Sequence, residues 1–116
     1  MATNNENVIN LERYRVKIDG KVSKVFTGRD RGMLVRKESK IDSIEERFET
    51  VHVIIPDNVY SINPSFFEEL FVNVVRKLGK DGFLKKFNFK SEGHYKYETP
   101  LMEAIDRILR NNNALQ

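Results

Sequence analysis

The sequence contains no cysteine among its 116 residues. This absence excludes a disulfide framework, a thiol nucleophile and a thiolate metal site. Apolar runs are short, and none approaches the roughly 20 residues that a membrane-spanning helix requires. Residues 1–7 lack the basic and apolar regions of a signal peptide. From these absences we expect a soluble, cytoplasmic protein.

The charge balance is mildly basic, with 20 Lys and Arg against 17 Asp and Glu and a net charge of +3. Hydrophobic residues make up 40% and charged residues 32% of the chain, which suits one small domain with a modest core. We place this domain at residues 11–110, after a disordered N-terminal tail at 1–10 and before a C-terminal tail at 111–116. Lys and Arg are scattered among carboxylates rather than gathered in the stripe that is typical of a nucleic-acid binder.

The strongest structural pattern is a buried strand followed by a capped helix. Residues 50–55 form a β-branched run that predicts the strand. Asn63 suits the helix cap and Pro64 the first helical position, although the frame from Ser65 to Glu68 also fits a capping box. Gly79 is a typical helix-ending residue. The helix between them carries one wide apolar stripe, made of Phe66, Phe67, Leu70, Phe71, Val74, Val75 and Leu78.

Weaker patterns surround this core. Alternation over residues 13–18, a turn at Asp19-Gly20 and a return over 21–26 predict an opening β-hairpin. A helix capped by Thr27 or Asp30 is expected to run to about Ser39, followed by a short helix or a kinked continuation over 38–49. Beyond the central helix, we expect one more helical turn at 83–86, a strand at 87–90, a loop at 91–98 and a helix from 99 to about 110. The predicted order is β-β-α-β-α-β-α, an α/β (α+β) fold with helices packed on a mixed sheet. A right-handed crossover should join the central strand to the strand at 87 if the two are parallel neighbours.

Two segments resemble a known family. Residues 53–71, VIIPDNVYSINPSFFEELF, resemble the core of small bacterial STAS-like domains of unknown function, which are relatives of the anti-sigma factor antagonists. Their shared pattern is a buried strand, a short turn, a serine, a phenylalanine and a helix with an acidic pair before leucine. Residues 27–32, TGRDRG, are similar to the Arg-containing start of that family's first helix. The resemblance covers roughly residues 26–109 and implies a STAS-like mixed sheet.

The resemblance also implies a regulatory protein–protein interaction through the strand-to-helix segment 60–70. The partner implied is a histidine-kinase-like ATPase or another regulator. In the related anti-sigma factor antagonists, a serine at this turn is phosphorylated as an off switch. The usual Asp-Ser-Ser-Gly run stands here as Asn63-Pro64-Ser65-Phe66, so Pro64 replaces the usual phosphoserine. Ser65 is then the candidate phosphoacceptor, although a helix-capping role explains it as well. The expected partner-binding residues are Ser61, Asn63, Ser65, Phe66, Glu68 and Glu69.

Other candidate sites are weaker. Arg29 and Arg31 are candidate anion contacts, because they stand at a predicted helix start; a turn and a cap explain the same residues. His52 and His94 are isolated, which does not make a metal site. The sequence lacks a Gly-x-Ser-x-Gly elbow and a recognisable nucleophile–base set. We therefore expect no enzymatic activity and no cofactor.

Two functions remain from this reasoning. The first is a non-enzymatic, STAS-like regulatory module that binds a protein. The alternative is a small basic nucleic-acid-associated or inhibitory protein that uses Arg29, Arg31 and residues 77–90. Salt separates them, since phosphate contacts weaken steeply as salt rises while apolar docking does not. A small-ligand pocket at the strand-to-helix turn is a remote third interpretation.

Overall fold

The computed structural model describes residues 6–114 of the chain. These residues form seven short strands and four helices. The strands are β1 (Val8–Asn10), β2 (Lys17–Ile18), β3 (Lys21–Val22), β4 (Val25–Phe26), β5 (Val51–Ile55), β6 (Ser61–Ile62) and β7 (Phe87–Ser91). The helices are α1 (Arg29–Ser39), α2 (Ile41–Arg47), α3 (Pro64–Lys86) and α4 (Glu98–Ala114), with a 3-10 turn at Leu11–Tyr14. Parallel and antiparallel strand pairs both occur, which confirms the mixed α/β class.

The main sheet has three parallel strands in the order β1-β5-β7. Val51 of β5 pairs with Phe87 of β7, so these two strands are parallel neighbours, which is the condition under which the sequence predicted a right-handed crossover between them. Along β5, Val53 is buried and His52 is exposed. Because successive side chains of a strand point to opposite faces, one face of β5 lies in the core and the other is more exposed. The sequence predicted a buried strand, and the structure buries Val51, Val53 and Ile55 on one face of it.

The N-terminal segment differs from the sequence prediction. Residues 1–10 were expected to form a loose tail, yet Val8–Asn10 is strand β1, which pairs with β5. The Asn7 side chain also donates a hydrogen bond to the Thr50 carbonyl at 3.1 Å. A three-residue strand is too short for its sequence pattern to predict it. Strand β1 forms because its backbone pairs with that of β5. Residues 1–5 lie outside the described part of the chain.

The predicted hairpin is present but lies outside the three-stranded sheet. Asp19 and Gly20 have φ values of 53° and 78°, as a tight hairpin turn requires. The paired strands are only two residues each. Ile18 is 65% exposed, so the apolar side chain of this strand does not pack into the hydrophobic core. The expected second strand over 21–26 is divided, and its latter part, β4, pairs in parallel with β6.

The helix starts follow local chemistry in part. Asn63 caps α3 and Pro64 begins it, as predicted. Gly79 has a φ of 76° and kinks α3, but the helix resumes and runs to Lys86. At α1 the cap position is Gly28, with no side-chain cap from Thr27 or Asp30. Lys40, with a φ of 59°, separates α1 from the second short helix.

Helix α3 is the centre of the packing. It contacts α1, α4 and β7. The Phe71 and Phe83 rings lie 5.1 Å apart between centroids, and Phe83 stacks on Phe87 at 4.6 Å, which joins the helix to the sheet. At the other end, Gly32 of α1 lies so close that an added Cβ would sit 2.5 Å from the Phe66 carbonyl oxygen. The start of α3 is therefore enclosed by its neighbours.

Candidate docking site at the start of the long helix

The strand-to-helix segment 60–70 comprises β6, the Asn63 cap and the first turns of α3. The Asn63 side-chain oxygen accepts two hydrogen bonds from Ser65, one from the backbone N–H at 2.9 Å and one from the hydroxyl at 2.8 Å. Asn63 also donates its own backbone N–H to the Phe26 carbonyl at 2.9 Å. Asn63 therefore fixes the helix start to β4, and Ser65 is held by the cap.

The predicted partner-binding residues divide into exposed and buried groups. Asn63 is exposed, and Ser61, Ser65 and Glu69 are partly exposed. Phe66 has no exposed surface and Glu68 is only 6% exposed. A partner that docks on this conformation can reach the first group but not Phe66 or the bulk of Glu68.

The acidic pair of α3 is neutralised by arginines from neighbouring helices. Arg29 of α1 lies 3.3 Å from the Glu68 carboxylate and 3.2 Å from the Glu69 carboxylate. The hydrogen bond to Glu68 is the main cause that raises the Arg29 pKa above its ordinary value. Arg36 donates to the Glu69 backbone carbonyl at 2.6 Å, and Arg107 of α4 lies 3.8 Å from Glu68. These contacts tie α1 and α4 to the start of α3.

The two candidate anion contacts have different surroundings. Arg29 is already engaged by Glu68 and Glu69. Arg31 is partly buried, and within residues 6–114 it makes no ion pair with a carboxylate. A phosphate bound between them would have to compete with the two carboxylates for Arg29.

A rigid loop presents Tyr60 beside the predicted docking residues. Tyr60 is 80% exposed, although its backbone N–H donates to the Lys24 carbonyl at 2.7 Å. The preceding residues are held by the buried Arg15, whose guanidinium donates to the Asp57 carbonyl and, at 3.4 Å, to the Asn58 carbonyl. The loop is thus fixed while its aromatic side chain projects from the surface.

The adjoining strand pair extends this exposed surface. Val25 of β4 pairs with Ser61 of β6, so the two side chains point to the same face. Val25 is partly exposed, which adds an apolar contact next to Ser61. The sequence placed Tyr60 at the start of the predicted docking segment 60–70 but did not single it out as a contact, and it gave no indication of Val25 or Arg15. The one available signal was an aromatic residue within a polar turn, between Asn58 and Ser61.

Four basic residues of the nucleic-acid alternative are paired with carboxylates, whereas Arg31, Lys85 and Lys90 form no ion pair within residues 6–114. Lys77 and Lys86 lie 2.8 Å and 2.9 Å from the two oxygens of the buried Glu45 carboxylate. Burial opposes ionisation of Glu45, but hydrogen bonds from both lysines outweigh it and lower its pKa. Lys80 lies 4.0 Å from Asp106. These lysines are part of intramolecular contacts rather than an open basic stripe.

The described residues contain no cluster of three or more His, Cys, Asp or Glu side chains that could hold a metal ion. His52 and His94 are both exposed and lie on β5 and in the loop before α4. None of the helices within residues 6–114 is long and apolar enough to cross a membrane.

No family model, curated protein or solved structure matches this chain. These comparisons provide no link to the STAS-like domains. That resemblance therefore depends on the two sequence segments, residues 27–32 and 53–71.

Proposed function

We propose that this chain is a non-enzymatic regulatory module that binds a protein partner through segment 60–70 and the adjoining face of β4. The observation that supports this best is Tyr60, which is 80% exposed on a loop fixed by hydrogen bonds. An exposed aromatic side chain on a preorganised backbone loses little conformational entropy on binding. Tyrosine is also among the residues that most often dominate the energy of protein interfaces.

The STAS-like topology and the regulatory role belong to the same proposal. The parallel pairing of β5 with β7 and the capped strand-to-helix turn are compatible with it. By resemblance, the partner class is a histidine-kinase-like ATPase or another regulator. The nucleic-acid alternative receives less support, because Arg29, Lys77 and Lys86 are paired with carboxylates.

Regulation by phosphate at Ser65 is a separable part of this proposal. The Ser65 hydroxyl donates to Asn63, and a phosphate there would add about −1.5 to −2 charge next to the helix start. Ser65→Ala removes only the hydroxyl hydrogen bond and keeps the cap on the backbone N–H. If charge at this position controls docking, Ser65→Glu weakens partner binding and Ser65→Ala does not.

The test uses a photo-crosslinking amino acid in place of Tyr60, with the exposed Asn88 on the open sheet face as the control position. A protein captured at position 60 and not at position 88 is then purified, and its affinity is measured for wild type, Tyr60→Ala and Asn88→Ala. We expect Tyr60→Ala to weaken binding by about 2 kcal/mol or more, at low and moderate salt alike, while Asn88→Ala has no effect.

Equal capture at both positions, or an unchanged affinity of Tyr60→Ala, would contradict the proposal. Recovery of nucleic acid whose binding collapses as salt rises would favour the basic alternative instead.

A further inference from the structure

A groove of about 650 Å³ follows the outer side of α1, where α1 meets α2. Its apolar part consists of Met33 and Leu34, which are 46% and 38% exposed. The opposite side of α1, with Gly32 and Val35, is buried against the rest of the chain. No described residue covers the Met33–Leu34 side, which lies on a different element from segment 60–70.

The charges along this groove have a definite order. Asp30 and Lys37 also line it, and spacings of three, four and seven residues place all four side chains on one helix face. Asp30 and Lys37 are equally distant from the midpoint between Met33 and Leu34, about 5 Å along the axis in each direction. On this face of α1 the stripe is therefore acidic at the start, apolar in the centre and basic at the end, while Arg36 and, from α2, Asp42 also line the groove. Within residues 6–114, neither Asp30 nor Lys37 makes an ion pair.

We propose that a second copy of this chain occupies the groove, with the two α1 helices antiparallel across a two-fold axis. In such an isologous contact, any residue pair occurs twice. Here Asp30 of each copy meets the partner's Lys37, and the Met33–Leu34 pairs face each other at the centre. The stripe is complementary to itself in this antiparallel arrangement only. A parallel arrangement would place like charges opposite each other.

The size of the groove sets the expected strength. Stable interfaces bury about 1,200 Å² or more in total, and an 11-residue helix with a short flank from α2 is a small contact surface. We therefore expect a reversible dimer with a Kd on the order of 10–100 µM. Lys40 also lines the groove and adds to its basic end.

The test is sedimentation equilibrium of the full chain over concentrations that span the expected Kd. Asp30→Lys and Lys37→Asp are each expected to raise the Kd at least about tenfold, because each places like charges in contact. An equimolar mixture of the two variants should form a heterodimer, since lysines at 30 and 37 then face aspartates at 37 and 30. The double variant should likewise recover self-association. Lys85→Asp, on the exposed side of α3, serves as the charge-matched control and should leave the Kd unchanged.

The mixture separates charge pairing from damage to the fold. Asp30 lies in the first turn of α1, so its reversal also weakens the interaction with the helix dipole. That loss persists in the mixture and cannot restore binding. A chain that stays monomeric throughout, a dimer indifferent to both reversals, or a mixture that fails to associate would each overturn the proposal.

Discussion

The Tyr95 hydroxyl bridges both backbone groups of Ile62: it accepts a hydrogen bond from the N–H at 3.0 Å and donates one to the carbonyl at 3.3 Å. Ile62 pairs with Phe26 on its other side. Tyr95 therefore completes the hydrogen bonding of β6 where no further strand is present among the described residues. One side chain from the loop after β7 thus closes the edge beside the docking segment.

Removing the Tyr95 hydroxyl should destabilise the fold, because the backbone groups of Ile62 lose their hydrogen-bond partner. We expect Tyr95→Phe to lower the free energy of unfolding by about 1–3 kcal/mol, because two partly buried backbone groups lose their partner. Urea denaturation measures the loss, and faster amide exchange at Ile62 would localise it. The control is Tyr97→Phe, since Tyr97 is also partly buried but its hydroxyl has no hydrogen-bond partner among residues 6–114. Equal losses in both variants would contradict the assignment.

Arg15 should be essential for the rigidity of the Tyr60 loop. Its guanidinium donates to the carbonyls of Ser23, Asp57 and Asn58, and a lysine ammonium lacks the planar fork that reaches them together. We expect Arg15→Lys to cost about 1–3 kcal/mol of stability and to accelerate amide exchange over residues 57–60. Arg13→Lys, at an exposed neighbouring position, should change stability by less than about 0.5 kcal/mol. Slow exchange at 57–60 in Arg15→Lys would show that other contacts hold the loop.

Gly32 should be intolerant of even a methyl group. Alanine normally favours a helix over glycine by about 1 kcal/mol, but here its Cβ would meet the Phe66 oxygen at 2.5 Å and the Glu69 Cβ at 2.9 Å. We expect overpacking to prevail, with a net loss of about 1–3 kcal/mol in Gly32→Ala. In Gly82→Ala the closest contact is 3.2 Å, to the Leu78 Cβ, so the change should be distinctly smaller. Thermal unfolding of the two variants compares them, and a stabilised Gly32→Ala would refute the tight α1–α3 contact.

The pH dependence of stability should include a contribution from Glu45. Hydrogen bonds from Lys77 and Lys86 lower the Glu45 pKa below its ordinary 4.5, against the effect of burial. A carboxyl with a lowered folded-state pKa stabilises the fold fully above its unfolded-state pKa, and the contribution is lost as the pH falls through the folded-state value. Wild type should therefore lose this stabilisation below about pH 4.5, while Glu45→Gln lacks it at every pH.

At pH 7 we expect Glu45→Gln to cost about 1–3 kcal/mol. The control is Glu46→Gln, whose carboxylate is 3.7 Å from Lys77 and largely exposed; its effect should be within about 1 kcal/mol. Denaturation curves from pH 3 to pH 7 distinguish them. A Glu45→Gln variant with the same pH slope as wild type below pH 4.5 would rule out this contribution.

The sequence predicted features that local chemistry determines. The Asn63 cap, the Pro64 start and the turn at Asp19-Gly20 all depend on residues within a few positions of each other. Gly79 was predicted to end the helix; its φ of 76° fits a left-handed residue, but the helix resumes after it and runs to Lys86.

Features that depend on distant partners were not predictable in this way. Strand β1 forms only because it pairs with β5. Ile18 belongs to an alternating apolar pattern, yet its side chain is exposed and does not pack into the core. In the candidate site, Phe66 fits an apolar stripe, but its complete burial results from packing against neighbours such as Phe26, 5.2 Å away between ring centroids. Tyr60 is exposed because hydrogen bonds from distant residues fix the backbone of its loop. The spacing of residues along the sequence does not reveal such bonds.

The register of the main sheet constrains the order in which the chain can fold during synthesis. Strand β1 is made first, yet its partner β5 is distant in sequence, as the 43-residue separation between Asn7 and Thr50 shows. The third strand, β7, follows only after the whole of α3. Loop closure over such distances slows folding relative to local contacts. The emerging strand β1 therefore has no native partner on the ribosome until β5 has been synthesised.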